Sequence, residues 1–284
     1  VQDYDETVQK AINRIQPFAV TERVVGWLRG NGVDHVNMDL MYGLPHQTLD
    51  KVAKMVELTV GLSPARIALF GYAHVPWMKS HQKMIDEDAL PGATERWRQF
   101  ELASQMLVEL GYVKIGLDHF ALPGDAMAEA LENETLHRNF QGYTTDPAGA
   151  LLGFGASAIG RLPQGHVQNL SPLKAYKETI SAGKPPTARG IEFSDDDRLR
   201  GEIIERLMCE LSVDINQVCA AHHADPAIFT DDLKKLDGLV ADKALTISGG
   251  LVTVLEAGRP LVRLAAAAFD AYLDKGAARH SRAV

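Results

Sequence analysis

Residues 35–44 read His-Val-Asn-Met-Asp-Leu-Met-Tyr-Gly-Leu, an apolar β-strand with one carboxylate, Asp39, near its centre. A helical pattern precedes it, with Thr21 as the expected N-cap and the glycines of residues 30–32 at its end, and residues 47–62 follow as a second helix. Strand 66–75, helix 94–110 and strand 113–120 continue the alternation. Three helix–strand units in succession predict a parallel α/β sheet, because each crossover helix returns the chain in the same direction. An open doubly wound sheet and a partial barrel both satisfy this pattern.

The carboxyl ends of the three predicted strands combine acids or histidines with aromatic residues just before a proline. They carry Asp39, His74 and the pair Asp118-His119. Chemistry collects at such ends in either architecture. Asp39 is expected to be buried, where a carboxylate needs a partner, either a salt bridge or a bound ligand. A buried, hydrogen-bonded core position is the alternative for each histidine. Several such ends together favour a site.

The stretch from His137 to Thr145 reads His-Arg-Asn-Phe-Gln-Gly-Tyr-Thr-Thr and contains no aliphatic residue. Neither helix nor strand periodicity fits it, so it is predicted to be a loop. A plain polar surface loop and a ligand-contacting loop are both compatible with this composition. The glycine-rich run of residues 151–160 follows. It is not the G-x-G-x-x-G dinucleotide fingerprint, and its small residues instead permit close backbone approach.

Helices dominate after Ile191. Ser194 is the expected cap of an acidic first turn, residues 215–222 and 227–239 are helical, and a hairpin over 245–254 turns at Gly249-Gly250 before a last helix through Tyr272. This order resembles a winged helix. Acids outnumber bases here, which disfavours DNA binding.

Composition narrows the class of protein. The 284 residues carry a formal net charge of −8, which argues against a nucleic-acid partner. No apolar run reaches the roughly 18 residues needed to span a bilayer. No secretory signal is recognisable, so we expect a cytoplasmic protein without a membrane partner. Cys209 and Cys219 are the only cysteines, too few for a disulfide framework or a metal site, and are expected to be buried. The opening Val1-Gln2-Asp3 suggests a chain cut within a domain.

Four strings taken together resemble the oxygen-independent coproporphyrinogen III oxidases (dehydrogenases), a radical S-adenosylmethionine family of haem biosynthesis. They are residues 37–45, 72–76, 116–121 and 137–145, and the likeness runs through the whole chain in order. The string around Asp39 is shared with haem chaperones of the same radical S-adenosylmethionine lineage, which are the alternative function. The 137–145 string and the downstream domain are more specific to the oxidases.

The resemblance implies the C-terminal part of a partial (β/α) TIM-like barrel over residues 1–190, with a substrate and cofactor loop at 137–160, and a mainly helical, winged-helix-like domain over 191–284. It implies a monomeric enzyme that oxidatively decarboxylates two propionates of coproporphyrinogen III, giving protoporphyrinogen IX and passing an electron to an unknown acceptor. In the family a reduced [4Fe-4S] cluster cleaves S-adenosylmethionine, and the resulting 5′-deoxyadenosyl radical takes a hydrogen from the propionate.

The resemblance also implies contacts to two S-adenosylmethionine molecules, at Gln2, Arg14, Asp39 and Ala73 for one, Ile159 for another, and Phe140 and Gln141 near both. From charge alone, four residues are predicted to meet the substrate propionates: His74, His119, His137 and Arg138. No catalytic acid or base is assigned. The family's C-x-x-x-C-x-x-C cluster motif is absent, and Cys209 and Cys219 are too few and too far apart to replace it. We therefore expect this 284-residue chain alone to bind no cluster and to be inactive.

Overall fold

The computed structural model describes residues 1–273, which form two compact units. The first is Val1–Glu132, and the second begins at Asn133. The chain is a mixed α/β protein in both units. The compact units divide between residues 132 and 133. The boundary expected at residue 190 separates two functional regions instead, and it stays a prediction.

The first unit alternates helices with short strands. Its elements are α1 (Glu6–Ala11), α2 (Phe18–Gly30), β1 (Asn37–Tyr42), α3 (Leu49–Gly61), β2 (Arg66–Gly71), α4 (Ala93–Glu109), β3 (Val113–Ile115), β4 (His119–Ala121) and α5 (Ala126–Glu132), with single 3₁₀ turns at Ser80–Met84 and Glu87–Ala89. Helix α2 begins directly after Pro17 rather than at Thr21, which lies inside the helix and accepts a hydrogen bond from Gln16. The expectation that Thr21 caps this helix is wrong, because Phe18, the first helical residue, lies a turn earlier in the chain.

The sheet of the first unit has the order β1-β2-β4-β3. Strands β1 and β2 are parallel, in register from Asn37 opposite Arg66 to Tyr42 opposite Gly71, as the alternation predicts. The predicted third strand, 113–120, is instead divided by a turn at Gly116, whose φ is +54°. The chain reverses there, and β4 inserts antiparallel between β2 and β3. The sheet is therefore mixed, not all-parallel, because glycine permits the left-handed turn.

One face of this sheet is buried under α3 and α4. Strand β1 alternates strictly, with Met38, Leu40 and Tyr42 buried. Met38 packs with Val25 and Leu62, whereas Leu40 and Tyr42 belong to the main cluster. The other members of that cluster are apolar side chains of the neighbouring elements: Val52, Met55, Val56, Ile67, Leu69, Ala103, Leu107, Tyr112 and Phe120. Because successive side chains of a strand point to opposite faces, Asn37 and Asp39 lie on the other, exposed face.

The second unit contains three small sheets and several helices. Its elements are β5 (His137–Asn139), β6 (Gly142–Thr144), β7 (Ile159–Leu162), β8 (Gly165–Asn169), α6 (Leu173–Ser181), β9 (Thr187–Glu192), α7 (Asp195–Glu210), β10 (Ser212–Asp214), α8 (Ile215–Ala221), α9 (Thr230–Lys234), α10 (Asp237–Ala241), β11 (Leu245–Ser248), β12 (Leu251–Val254) and α11 (Val262–Ala267), with 3₁₀ turns at Pro226–Phe229 and Glu256–Leu261. The strands pair as β5-β6, β7-β8-β9 and β10-β12-β11.

Helix α7 begins as predicted. Ser194 and Asp197 form a reciprocal capping box, and the first turn carries three acids. The hairpin β11–β12 also forms as predicted, with Gly249 and Gly250 both at positive φ. The continuous helix predicted over 227–239 is wrong, because the chain divides there into a 3₁₀ turn that starts at Pro226 and two five-residue helices. No helix within residues 1–273 has the length and apolarity to cross a bilayer.

Candidate functional site

Three of the predicted cofactor contacts lie beside strand β1 in the first unit. The carbonyl of Gln2 accepts a hydrogen bond of 3.0 Å from the backbone N–H of Met41. Arg14 and Asp39 both interact electrostatically with the backbone position of Val1, next to Gln2. Arg14 and Asp39 therefore both lie within electrostatic reach of the segment that carries Gln2, so the fold brings together a cation, a carboxylate and an amide.

Asp39 is exposed, and the expectation of a buried carboxylate is wrong. The strand alternation turns it away from the core that holds Met38 and Leu40. Asn37, two residues earlier on the same face, donates to its Oδ1 at 2.9 Å. Gln2 Oε1, by contrast, is buried and has no hydrogen-bond partner among the described residues. An orphaned acceptor beside an exposed carboxylate suits a ligand that carries hydroxyl or amino donors.

A buried polar network, which no sequence pattern indicates, holds this corner of the fold. Gln47 donates to Asp3 Oδ2 at 2.6 Å and to the carbonyl of Met41 at 2.9 Å. Gln99, fully buried on α4, accepts from the N–H of Gly43 and donates to the carbonyl of Gln47, each at 2.9 Å. Burial raises the pKa of Asp3. The network ties the segment before α1 to the loop after β1, and so positions Gln2.

Arg96 is a second feature that sequence analysis missed. Its Nη2 donates to the carbonyl of Tyr72 at 2.9 Å, and its Nε is buried without a hydrogen-bond partner. The guanidinium lies against Gly43 and Gly71, at the ends of β1 and β2, where a Cβ on Gly71 would be 2.9 Å from the Tyr42 hydroxyl. Because the two glycines have no Cβ, they leave space for the Arg96 guanidinium at the ends of β1 and β2.

The end of β2 carries Ala73 and His74. Ala73 is exposed, and its carbonyl accepts from Gln82 Nε2 at 3.0 Å. Both ring nitrogens of His74 have protein partners, since Nδ1 is 3.1 Å from the Tyr72 hydroxyl and Nε2 is 3.0 Å from Glu87 Oε1. These contacts give His74 a structural role, and its predicted contact with substrate stays a prediction.

Asp118 and His119 sit at the turn between β3 and β4. Asp118 Oδ1 lies 2.7 Å from His119 Nδ1, and the imidazole ring meets Phe70 edge-on at 5.9 Å between centroids. A carboxylate bonded to Nδ1 fixes the orientation of a histidine ring. The imidazole is therefore held in place at the start of β4, an inner strand of the first unit's sheet.

In the second unit, His137–Thr145 is not an irregular loop. Residues His137–Asn139 and Gly142–Thr144 pair as a β-hairpin, with Phe140 and Gln141 at its turn. The prediction of a loop is wrong because two three-residue strands are too short to show periodicity. The N–H of Gln141 donates to Asn139 Oδ1 at 2.8 Å, and Phe140 is 71% exposed. The hairpin tip thus presents an open aromatic ring beside a carboxamide.

Helix α7 anchors this hairpin. Glu205 Oε1 lies 3.2 Å from His137 Nδ1 and accepts from the N–H of Arg138 at 3.3 Å. The buried Tyr143 donates its hydroxyl to the carbonyl of Met208 at 2.9 Å. The Arg138 guanidinium stacks over the Tyr143 ring at 4.8 Å, and its Nε is buried without a hydrogen-bond partner. His137 is therefore held by a carboxylate, whereas Arg138 keeps unused donor capacity.

A groove of about 1320 Å³ lies in the second unit, between the hairpin, the β7-β8-β9 sheet and α7. It brings together four residues singled out in the sequence: His137, Arg138, Phe140 and Ile159. Gln141 lies at the hairpin tip, outside the residues that line the groove. The β7-β8-β9 sheet adds three cationic or ionisable residues that have no sequence signal of their own: Arg161, His166 and Arg189.

The residues of this chain do not fit an iron–sulfur cluster. Cys209 and Cys219 are buried as predicted, and burial raises the pKa of Cys209 to about 12 and also raises that of Cys219. Iron–sulfur clusters are held by three or four thiolates, whereas these thiols are two and stay protonated. Across residues 1–273, no three His, Cys, Asp or Glu side chains are grouped so that they could hold a metal ion.

Known proteins resemble this chain in sequence and in overall fold. No family model matches the chain. A solved structure described as coproporphyrinogen III oxidase from Escherichia coli, a radical SAM enzyme, superimposes with a TM-score of 0.91 and 34% identity, over 96% of this chain and 63% of its own. The chain therefore has the mixed α/β fold of a radical SAM enzyme.

Sequence relatives narrow the class to one family. An oxygen-independent coproporphyrinogen III oxidase of Bradyrhizobium diazoefficiens is 51% identical over 284 residues, which are 100% of this chain and 63% of that relative. Its counterpart in Thermostichus vulcanus is 38% identical over 281 residues, 98% of this chain and 86% of the relative. The chain belongs to the oxygen-independent coproporphyrinogen III oxidase family. It spans less than two thirds of the Bradyrhizobium relative and 62% of one from Paracoccus denitrificans.

Proposed function

We propose that the protein containing this chain oxidatively decarboxylates coproporphyrinogen III to protoporphyrinogen IX without oxygen, in haem biosynthesis. The observation that carries the proposal is the 51% identity with a coproporphyrinogen III oxidase over all 284 residues. Each turnover of a propionate to a vinyl group removes one hydrogen atom, carbon dioxide and one electron, so an electron acceptor of unknown identity is also required.

S-adenosylmethionine is the proposed cofactor, in two molecules. When bound, it would supply the 5′-deoxyadenosyl radical that takes the hydrogen atom. For one molecule, Asp39 offers its exposed carboxylate to ribose hydroxyls, and Gln2 offers its orphaned Oε1 to a donor. Arg14 suits the methionine carboxylate, and Ala73 offers backbone groups and apolar contact.

The second cofactor position is proposed for the hairpin side. Phe140 and Gln141, at the hairpin tip, offer an exposed ring and an amide, and Ile159 offers apolar surface in the groove. The anchoring of the hairpin by Glu205 and Met208 supports this role, because a site held on regular structure keeps its geometry better than a loose loop.

We further propose that residues 1–190 are the C-terminal part of a partial (β/α) barrel and that residues 191–284 form a winged-helix-like domain. The parallel pair β1–β2 and the helix–hairpin order of the second unit support this assignment. A cytoplasmic monomer is the proposed state. The [4Fe-4S] cluster requires thiolates that Cys209 and Cys219 do not provide, so its ligands are proposed to lie in the portion of the relatives that this chain does not span.

The decisive experiment uses the full-length protein under strictly anaerobic conditions. The protein is reconstituted with iron and sulfide, then given S-adenosylmethionine, a one-electron reductant, an acceptor and coproporphyrinogen III, and the products are oxidised and separated by chromatography. Protoporphyrin formation that depends on S-adenosylmethionine supports the proposal. Stoichiometric haem uptake with no decarboxylation would instead assign the haem-chaperone function.

A further inference from the structure

One face of the β7-β8-β9 sheet is cationic and apolar at the same time. Two rows of paired residues cross the three strands in the order β7, β8, β9. One row is Ile159, Gln168 and Arg189, and the other is Arg161, His166 and Ile191. Because residues two apart on a strand share a face, all six side chains point the same way. All six also line the groove, and none of them is an acid.

We infer that this face binds the propionate carboxylates of the tetrapyrrole that are not decarboxylated. The inference rests on the proposed function and names residues for its substrate. A tetrapyrrole offers an apolar macrocycle with carboxylates at its rim, so its site needs apolar surface flanked by cations. Arginine suits such carboxylates because its planar guanidinium donates in parallel pairs.

The spacing of the two arginines fits a ligand of that size. Arg161 and Arg189 lie on the outer strands, with β8 between them, and are offset by one pair of residues along the strands. Two strand spacings and a two-residue offset separate their Cα atoms by about 12 Å. That distance is comparable to the separation of propionates across a tetrapyrrole.

Several charges of the groove that belong to α7 are already paired. On α7, Arg200 bridges Asp196 and Asp232, and Glu202 bridges Arg206 and His222. The acids of the lining all lie outside the sheet face: Glu134, Asp197, Glu202, Glu205, Glu210 and Asp270.

The two arginines of the sheet face have no carboxylate partner among the described residues. Arg189 is oriented by its Nε–H, which donates to Gln168 Oε1 at 2.7 Å and leaves its two terminal nitrogens for a ligand. The sheet therefore adds two unpaired cations to the groove, beside Arg138 and Arg198, whose guanidinium groups stack on Tyr143 and Phe193.

Apolar surface lies on the same face. Ile191 is 45% exposed, Ile159 is half-buried, and Phe193 meets the His166 ring edge-on at 4.8 Å between centroids. A macrocycle lying on these side chains would have Arg161 on one side and Arg189 on the other. The same combination would attract a macrocycle with fewer carboxylates less strongly.

The test measures porphyrin binding to the full-length protein by the anisotropy of porphyrin fluorescence. The probes are coproporphyrin III, which keeps the substrate's carboxylates, and mesoporphyrin IX, which carries only two. The variants are Arg161→Ala, Arg189→Ala and the double variant. Arg263→Ala is the matched control, since Arg263 is an exposed arginine of the same unit outside the groove.

Each single variant is expected to weaken coproporphyrin III binding about three- to tenfold, the usual range for one charge-assisted contact in a partly exposed site. The double variant should also lose most of the preference for coproporphyrin III over mesoporphyrin IX, while Arg263→Ala stays within twofold of wild type. Unchanged affinity and unchanged preference in the double variant would overturn the inference.

Turnover separates this inference from the proposed function. In the full-length enzyme the double variant should raise KM for coproporphyrinogen III with little change in kcat, because the arginines hold carboxylates that do not react. If the wild-type enzyme decarboxylates coproporphyrinogen III and the double variant has the same KM as wild type, only this inference is refuted. If the wild-type enzyme does not decarboxylate coproporphyrinogen III, the proposed function is refuted, whatever the binding data show.

Discussion

Gln99→Leu should destabilise the first unit strongly although leucine has almost the same size as glutamine. The Gln99 side chain is fully buried and makes two hydrogen bonds of 2.9 Å, one from the N–H of Gly43 and one to the carbonyl of Gln47. Leucine would leave both backbone groups buried and unpaired, at about 1–3 kcal/mol each, and would recover part of this through apolar contact. The net loss in the free energy of unfolding is expected to be about 2–4 kcal/mol.

Urea unfolding followed by tryptophan fluorescence reads this loss directly, because Trp27, Trp77 and Trp97 all belong to the first unit. For a unit of this size the urea dependence of the free energy is about 2 kcal/mol per molar, so the midpoint should fall by about 1–2 M. The slope of the transition should stay unchanged, since the same surface is exposed on unfolding.

Gln105→Leu is the matched control on the same helix. Gln105 is exposed, and its side chain reaches only Glu109 one turn away, so the change should be below about 0.5 kcal/mol. Equal midpoints for Gln99→Leu and Gln105→Leu would refute the claim that the buried amide holds the loop after β1.

Three further outcomes are expected. Tyr143→Phe removes the hydroxyl that donates to the buried carbonyl of Met208, and should cost about 1–2 kcal/mol in chemical unfolding followed by circular dichroism; no loss would remove this anchor of the hairpin. Burial alone would raise the pKa of Asp232, but the hydrogen bonds from Lys235 and Arg200 outweigh it and hold that pKa below its usual 3.8. The stabilisation is therefore present above about pH 4 and is lost as the pH falls through the lowered pKa, so Asp232→Asn should differ from wild type at pH 7 and converge with it in acid; a difference that does not depend on pH would contradict this. Anaerobic reconstitution of the 284-residue chain alone should give no stoichiometric [4Fe-4S] centre by iron analysis and electron paramagnetic resonance, and a full cluster would show that other ligands exist.

Elements with strong local signals were predictable from the sequence. The parallel pair β1–β2, the capping of α7 by Ser194 and the turn at Gly249-Gly250 all follow from apolar alternation or from residues with fixed backbone preferences. Such signals act within a few residues, so the local structure that they predict does not depend on contacts with distant parts of the chain.

Features that depend on distant contacts were not predictable. The strand 113–120 has continuous strand character, but only its pairing with β2 shows that it turns at Gly116. The hairpin from His137 to Thr144 forms because α7 supplies Glu205 and Met208, some 65 residues later in the chain. Buried Gln99 resembles any polar helix residue until its partners are known.

The residues of the candidate site were also predictable only where the sequence carries a local signal. Asp39 was found because a carboxylate interrupts an apolar strand, although its side chain faces outward. Arg161 and Arg189 were missed because an arginine in a short polar strand is unremarkable until the register puts both on one face.

Because its two native thiols are buried, this chain is suited to labelling at a single introduced cysteine. Cys209 and Cys219 are buried, and the pKa of Cys209 near 12 leaves almost no thiolate at neutral pH. A thiol introduced by Gln141→Cys, at the open tip of the hairpin, would therefore accept a maleimide or a spin label without first removing the native cysteines. The movement of the tip when a porphyrin is added could then be followed in the 284-residue chain with Cys209 and Cys219 left in place.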